Sequence, residues 1–317
     1  MIRASLAVFA LVAGGALAQS FPSKPIHMIV PLVPGGNQDI VARAVAEEMS
    51  RGLGQQVVVE NRAGGGGSIG AEVAVKAAPD GYTVALAGTS EVAINPFIYK
   101  LAYDPVKDLV PVGLVGTTPM VIVVTPTLAA KTANDLVALA KSQPGQLNVG
   151  SAGNGSLTHL AAELFRSMHG LNWAHVPYKG APPALNDLAG GRVQVMFSTV
   201  PAAIGLIKSG LVRPIAVSTQ SRAATLPDVP TVAESGLGTY DPQFWYGVFV
   251  PVATPKDVMA RLSEAVAQSA KDPGVVDALG KQGVIPASMT PAQFSDYVKA
   301  DAARWGKVVA ESGAKAD

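Results

Sequence analysis

The residues best suited to chemistry lie in two similar turns. The first is Pro34-Gly35-Gly36-Asn37 ahead of Asp39-Ile40-Val41-Ala42-Arg43, and the second is Ser151-Ala152-Gly153-Asn154-Gly155-Ser156 ahead of Leu157-Thr158-His159-Leu160. Each follows a short apolar run and leads into a helix-like segment. The first N–H groups of a helix have no intrahelical partner, the dipole there is positive, and glycine lets a ligand approach the backbone closely. A strand, a glycine turn and a helix therefore make an anion cradle, and two cradles suit a small molecule with more than one carboxylate.

The pattern around these turns alternates short β-branched runs with helical stretches. Residues 26–30, 56–60 and 83–87 read as strands, and 39–52 and 68–78 as helices. The second half repeats the theme, with helices at 133–142, 156–169, 181–189 and near 202–208. Its strands fall at 147–150, 174–178, 193–197 and 212–218. This is an α/β chain with a largely parallel sheet. Thr132 with Asp135 three residues on predicts an N-cap. Residues 120–125 and 244–251 are apolar, extended and bounded by proline, so they read as crossings between two lobes. The boundaries that follow are 21–121 plus 225–317 for one lobe and 122–224 for the other. Residues 256–271 and 291–312 read as amphipathic helices that either lobe could carry.

Apolar residues make up 49% of the 317, charged residues only 15%, and the formal net charge is +1, which argues against nucleic acid or an anionic membrane surface as partner. Met1-Ile2-Arg3, the apolar run to Leu17 and the A-x-A match Ala16-Leu17-Ala18 predict a signal peptide over 1–18, cleaved after Ala18. Cysteine is absent, which excludes disulfides, thiolate nucleophiles and a lipid-anchored precursor. The four histidines, His27, His159, His169 and His175, are scattered, and no metal or cofactor is expected. The expectation is a free, exported, periplasmic protein.

Two enzyme-like patterns share one glycine run. Gly65-Gly66-Gly67-Ser68-Ile69-Gly70 satisfies G-x-G-x-x-G, with Glu91 near the place of a ribose-binding acid, and Gly66-Gly67-Ser68-Ile69-Gly70 satisfies G-x-S-x-G, with His159 or His175 downstream. Neither fits its context, because Asn61-Arg62-Ala63 separates the run from the strand. Ser68 as an N-cap, or Gly66 and Gly67 as part of a ligand cradle, accounts for the run better. Thr89-Ser90 and Ser198-Thr199 each follow a predicted strand, at the carboxyl ends where open α/β sheets bind ligands. Their hydroxyls either donate to a carboxylate or cap a helix. Asp39 either pairs with Arg43 or caps the turn amides. His159 is a donor from a first helical turn or a satisfied half-buried ring. Arg62 and Lys179 either contact an anion or stay solvated, and Tyr178, Trp245 and Tyr246 either line a cleft or pack an interface.

Taken with Val58-Val59-Glu60-Asn61-Arg62-Ala63-Gly64, Ala78-Pro79-Asp80-Gly81-Tyr82-Thr83, Tyr103-Asp104-Pro105-Val106-Lys107-Asp108, Val176-Pro177-Tyr178-Lys179-Gly180 and Leu226-Pro227-Asp228-Val229-Pro230-Thr231, the chain closely resembles one family. It is similar to the substrate-binding receptors of tripartite tricarboxylate transporters, the Bug-type periplasmic receptors. The resemblance spans nearly all of the mature chain. It implies a two-lobed, type II-like periplasmic binding protein fold, each lobe a mostly parallel sheet flanked by helices, with the ligand cleft between them. It also implies a non-enzymatic, monomeric receptor that delivers a small carboxylate to a large and a small membrane subunit. Carried over by position, the ligand loops are Pro34, Gly35, Gly36, Asn37 and Asp39; Gly66, Gly67 and Ser68; Thr89 and Ser90; Ser151, Gly153, Asn154, Gly155 and Ser156 with His159; and the region after Phe197, Ser198 and Thr199, with Tyr178 beside it. Where this chain has Asn37-Gln38 the family often has Ala-Thr or Gly-Thr. Where it has Ser198-Thr199 the family often has an acid followed by Asn, which points to a ligand lacking an amino group, a di- or tricarboxylate or an aromatic acid. The alternatives are a receptor that presents its ligand to a signalling partner, or an exported serine hydrolase using Ser68.

Overall fold

The computed structural model describes residues 21–315, and the expected leader with its cleavage point lies outside the described residues. Strands β1 (Ile26–Val30), β2 (Val57–Asn61) and β3 (Thr83–Gly88) pair in parallel, with β1 in the middle. Their crossovers are α1 (Asn37–Leu53) and α2 (Ser68–Val75). Along α1, Val41, Ala42, Val45, Ala46, Met49 and Leu53 recur at helical spacing and are buried, which fixes the helix on the sheet. After β3 the chain makes a π-helical turn, Ser90–Ile94, then the short α3 (Asn95–Ile98) and α4 (Pro105–Asp108).

The 16-residue strand β4 (Leu109–Val124) carries the chain into the second half. There follow α5 (Ala133–Ser142), β5 (Asn148–Ser151), α6 (Leu157–His169), β6 (Ala174–Pro177), α7 (Ala181–Ala189), β7 (Val195–Thr199), α8 (Val200–Lys208) and β8 (Arg213–Val217). The chain returns through β9 (Gln243–Pro251) and ends in α9 (Lys256–Ser269), α10 (Pro273–Lys281), β10 (Ile285–Pro286) and α11 (Pro291–Ser312). The N-cap predicted at Thr132 is present, and Asp135 completes it as a capping box.

The ten strands among the described residues join one sheet in the order β2-β1-β3-β9-β4-β7-β5-β6, with β8 and β10 also paired to β4. The expected parallel pairing holds on both flanks, at β1–β2, β1–β3, β5–β6 and β5–β7. The centre is antiparallel, so the sheet is mixed. The cause is that the two predicted crossings are themselves strands. β4 pairs over its first part with β9 and over its last part with β7 and β8, and its register shifts show where the strand bends. Period-two alternation sends Trp245 and Phe249 of β9 to one face, against Phe294 and Trp305 of α11. Tyr246, Val248 and Val250 go to the other, against Val45 and Met49 of α1 and Leu262 of α9. Burying each large apolar side chain contributes about 2 kcal/mol. Helices α9 and α10 pack on α1, whereas α11 lies on β4 and also reaches α6. No helix among the described residues is long and apolar enough to cross a membrane.

Candidate functional site

The first turn leaves the start of α1 open. Its N-cap is Gly36, which has no side chain with which to cap the helix, so the leading amides of this 17-residue helix have no side-chain acceptor at the cap among the described residues. Behind them lies a buried polar layer. Asn37 Nδ2 donates to Tyr246 Oη at 3.0 Å, and Gln38 Nε2 donates to the Leu86 carbonyl at 2.8 Å. The other amide atoms, Asn37 Oδ1 and Gln38 Oε1, are buried without a protein partner among the described residues, as is Thr118 Oγ1. Burial pushes the Tyr246 hydroxyl up to about 12, so it remains a neutral donor and acceptor. Such a layer offers amide donors to a carboxylate and oxygen acceptors to a hydroxyl or water beside it.

Asp39 fills both of its predicted roles. One oxygen accepts from Gly35 N at 2.9 Å and from Arg43 Nε at 3.0 Å, and Arg43 also approaches the other oxygen. Burial would push this carboxyl up, but the hydrogen bonds from Arg43, Gly35 N and Asn61 outweigh it and hold it below the usual carboxylate range. The charge nearest the open amides is thereby paired. Pro34 is exposed in the turn.

The glycine run forms a second rim. Gly64, Gly65, Gly66 and Gly67 all take positive φ, from 55° to 134°, which side chains strongly disfavour. Gly66 lies over Tyr99, its carbonyl accepts from Asn95 Nδ2 at 2.8 Å, and Gly67 lies over Glu91. Ser68 is the first residue of α2 rather than its N-cap, which is Gly67. Because β2 ends at Asn61, no strand leads directly into Ser68 and the nucleophile elbow does not form. Glu91, the acid weighed for a ribose, is buried and accepts from Gly88 N at 2.8 Å.

Thr89 is fully buried; its hydroxyl accepts from Trp245 N at 2.9 Å and donates to the Gln243 carbonyl at 3.3 Å, tying β3 to β9. Ser90 opens the π-helical turn and is half-buried.

The second turn closes on itself. Ser156 caps α6 by accepting from His159 N at 3.3 Å, and donates to the Gly153 carbonyl at 2.7 Å. Thr158 Oγ1 takes Ala152 N at 2.8 Å, Ser151 Oγ takes Gly153 N at 3.2 Å, and His159 Nδ1 takes Gly155 N at 3.1 Å. His159 stacks on His175 with ring centroids 3.7 Å apart, and His175 Nε2 bonds Ser151 Oγ at 2.7 Å. Burial, then His175, lowers the His159 imidazole to about 4, so its ring is neutral near pH 7. Asn154 is exposed at the tip.

The structure joins these pieces through α3. Gly155 of the second turn packs on Ile98, and the next residue, Tyr99, lies under Gly66. Other candidates are directed elsewhere. Tyr178 donates to Asp187 at 2.8 Å, and Ser198 is buried with its hydroxyl on the Thr199 carbonyl at 3.3 Å. Ser198 and Thr199 belong to β7 itself instead of following a strand that ends at Phe197, because that strand begins two residues later than its pattern suggests. Trp245 is core, donating to Asp301 at 2.8 Å, and Arg62 pairs with Glu60. A well-formed concavity lined by Glu47, Glu48, Arg51 and Asp272 contains none of these residues. Sequence reasoning named Gln38 only as a departure from the family and Glu91 only as a ribose-binding acid, and it passed over Thr118. A glutamine beside the turn at a position that the helix buries was the available signal; nothing local marks Thr118.

Residues 41–314 match the family described as the tripartite tricarboxylate transporter family receptor, TctC. BugT of Bordetella pertussis is 37% identical over 319 residues, covering 99% of this chain and 98% of that protein. Among solved structures, an R. palustris protein with adipate is 34% identical with a TM-score of 0.78, covering 93% of this chain and all of the other. MatC from Rhodopseudomonas palustris with bound malate is 30% identical with a TM-score of 0.73, covering 91% of this chain and all of the other. With an α/β fold shared with these proteins, the chain belongs to the tripartite tricarboxylate transporter receptors, periplasmic solute-binding proteins and not enzymes.

Proposed function

We propose that this protein binds a small di- or tricarboxylate at the open start of α1 and delivers it to the large and small membrane subunits of a tripartite tricarboxylate transporter. The observation that carries the reading is the uncapped N-terminus of α1 above the buried layer of Asn37, Gln38, Thr118 and Tyr246. In this reading residues 1–18 direct export and are cleaved after Ala18, and the receptor acts as a monomer in the periplasm. The lobes are 21–121 plus 225–317 and 122–224. The ligand lies between them, and its contacts with Gly66, Gly67, Ser68, Ser90 and the second turn favour closure. A ligand without an amino group suits the site, since Asp39 is paired with Arg43 and Glu91 is turned to Gly88 N. The adipate and malate held by two relatives are of this class.

Thermal stabilisation of the mature protein against mono-, di- and tricarboxylates, aromatic acids and amino acids tests the proposal, because binding to the native state alone raises the melting temperature. Shifts confined to acids without an amino group are expected. Tighter binding of glutamate or aspartate than of their deaminated analogues would overturn the ligand class.

A further inference from the structure

Glu91 stands where three of the candidate loops meet. It is 1% exposed, in the π-helical turn that follows β3. Its Oε2 accepts from Gly88 N at the end of β3 at 2.8 Å, and the side chain of Gln38 at the start of α1 is near enough to favour its ionised form. Gly67 lies directly on it, so that a Cβ there would fall 2.6 Å from Glu91 Cγ and 2.9 Å from Oε1. One carboxyl therefore holds the end of β3, lies against the glycine rim and sits beside the start of α1.

Its surroundings are poor in positive charge. The titratable groups facing it are the hydroxyls of Tyr246 on β9 and Tyr103 ahead of α4, both pushed up to about 12 by burial and hence neutral. No lysine or arginine forms an ion pair with it among the described residues. Burial pushes the Glu91 carboxyl up, only partly opposed by its hydrogen bonds from Gly88 N, its own amide and Gln38. A carboxylate ligand arriving at the α1 amides would place a second negative charge close to this group, and two neighbouring carboxylates resist joint ionisation.

We propose that Glu91 is a pH-sensing positioning residue, protonated when the site holds a carboxylate and opposing ligand binding once ionised. The inference rests on the carboxylate reading above. The sign follows from linkage. A bound anion favours protonated Glu91, so affinity is full below the ionisation of Glu91 in the free protein. Affinity falls as pH rises beyond it, by up to about tenfold per pH unit, while binding takes up one proton.

Calorimetric titration with adipate and with malate, from about pH 6.5 to about 9.5 where both diacids are fully ionised, tests this in the wild type and Glu91→Gln. The expected result is weakening with rising pH in the wild type, with proton uptake in buffers of different ionisation enthalpy, and a flattened profile in Glu91→Gln. A merely structural role would change stability and leave the two profiles parallel, which would overturn the proposal. Infrared spectra of the wild type with 13C-labelled glutamate, taken without ligand as pH is raised, add a test that needs no variant. A protonated-carboxyl C=O stretch that outlasts those of the exposed glutamates as pH rises is expected, and its loss together with theirs overturns the proposal. If neither diacid binds at any pH while that late-titrating stretch is present, the carboxylate reading fails and the raised ionisation of Glu91 stands.

Discussion

The two glycine turns are alike in sequence and opposite in how they use their hydrogen bonds. At the second, Ser151, Ser156, Thr158 and His159 turn inward and occupy the amides of Ala152, Gly153, Gly155 and His159. At the first, only Gly35 N is taken, by Asp39, and the cap position of α1 is a glycine. A helix start that caps itself gains stability from its own side chains; one that does not leaves that interaction for another molecule to supply. Under the proposed function, the difference makes the first turn the main anion contact and the second a preformed wall that packs on Ile98.

The sharpest way to break the comparison is to give the first turn what the second already has. Gly36 has φ −74° and ψ 167°, an ordinary N-cap conformation, and an added Cβ would meet only the Val33 carbonyl at 3.5 Å. Gly36→Asp should therefore raise stability by a few tenths of a kcal/mol while lowering carboxylate affinity roughly 100-fold, as charge-assisted hydrogen bonds are lost. Calorimetry paired with thermal melts reads both, and unchanged affinity would remove the first turn from the site.

Asn37→Ala should lower affinity about tenfold, since Tyr246 loses the group that orients it. His159 tests the other turn. Its imidazole is lowered to about 4, from an unfolded value near 6.5, so its stabilising contribution is present above about pH 6.5 and lost as pH falls through about 4. The melting temperature should drop over that window, and less steeply in His159→Gln. Ser156→Ala, which removes the cap of α6, should cost about 1 kcal/mol and change affinity less than Asn37→Ala does. A larger loss of affinity there would make the two turns equal partners.

Local signals carried much of this fold. Thr132 with Asp135 opens α5, Gly170 ends α6 in the left-handed conformation, and Ala133–Ser142 and Pro291–Ser312 fall where their periodicity puts them. Helix α10 has its own start signal, Asp272 before Pro273, but Gly274 and Gly280 dilute its pattern and no helix is predicted there. Pairing partners were less legible. That residues 120–125 belong to a strand beginning at Leu109, and that β9 sits between β3 and β4, depends on contacts over 100 residues away. The candidate site divides the same way. Its turns could be read directly, whereas the layer beneath them joins Gln38, Glu91, Thr118 and Tyr246 from four distant segments.

The place of β9 also sets an order of events for a chain made from its N-terminus. β3 and β4 do not pair with each other; each pairs with β9, whose last residue is Pro251. Until that residue has been synthesised, the strands at both sides of the gap have open edges. β5 to β8, by contrast, have all the strands they pair with once Val217 is present, and only the end of β8 waits for its bridge to Thr231. The part encoded in the middle can therefore assemble before the part encoded first, and the early strands must avoid pairing with other chains during the wait.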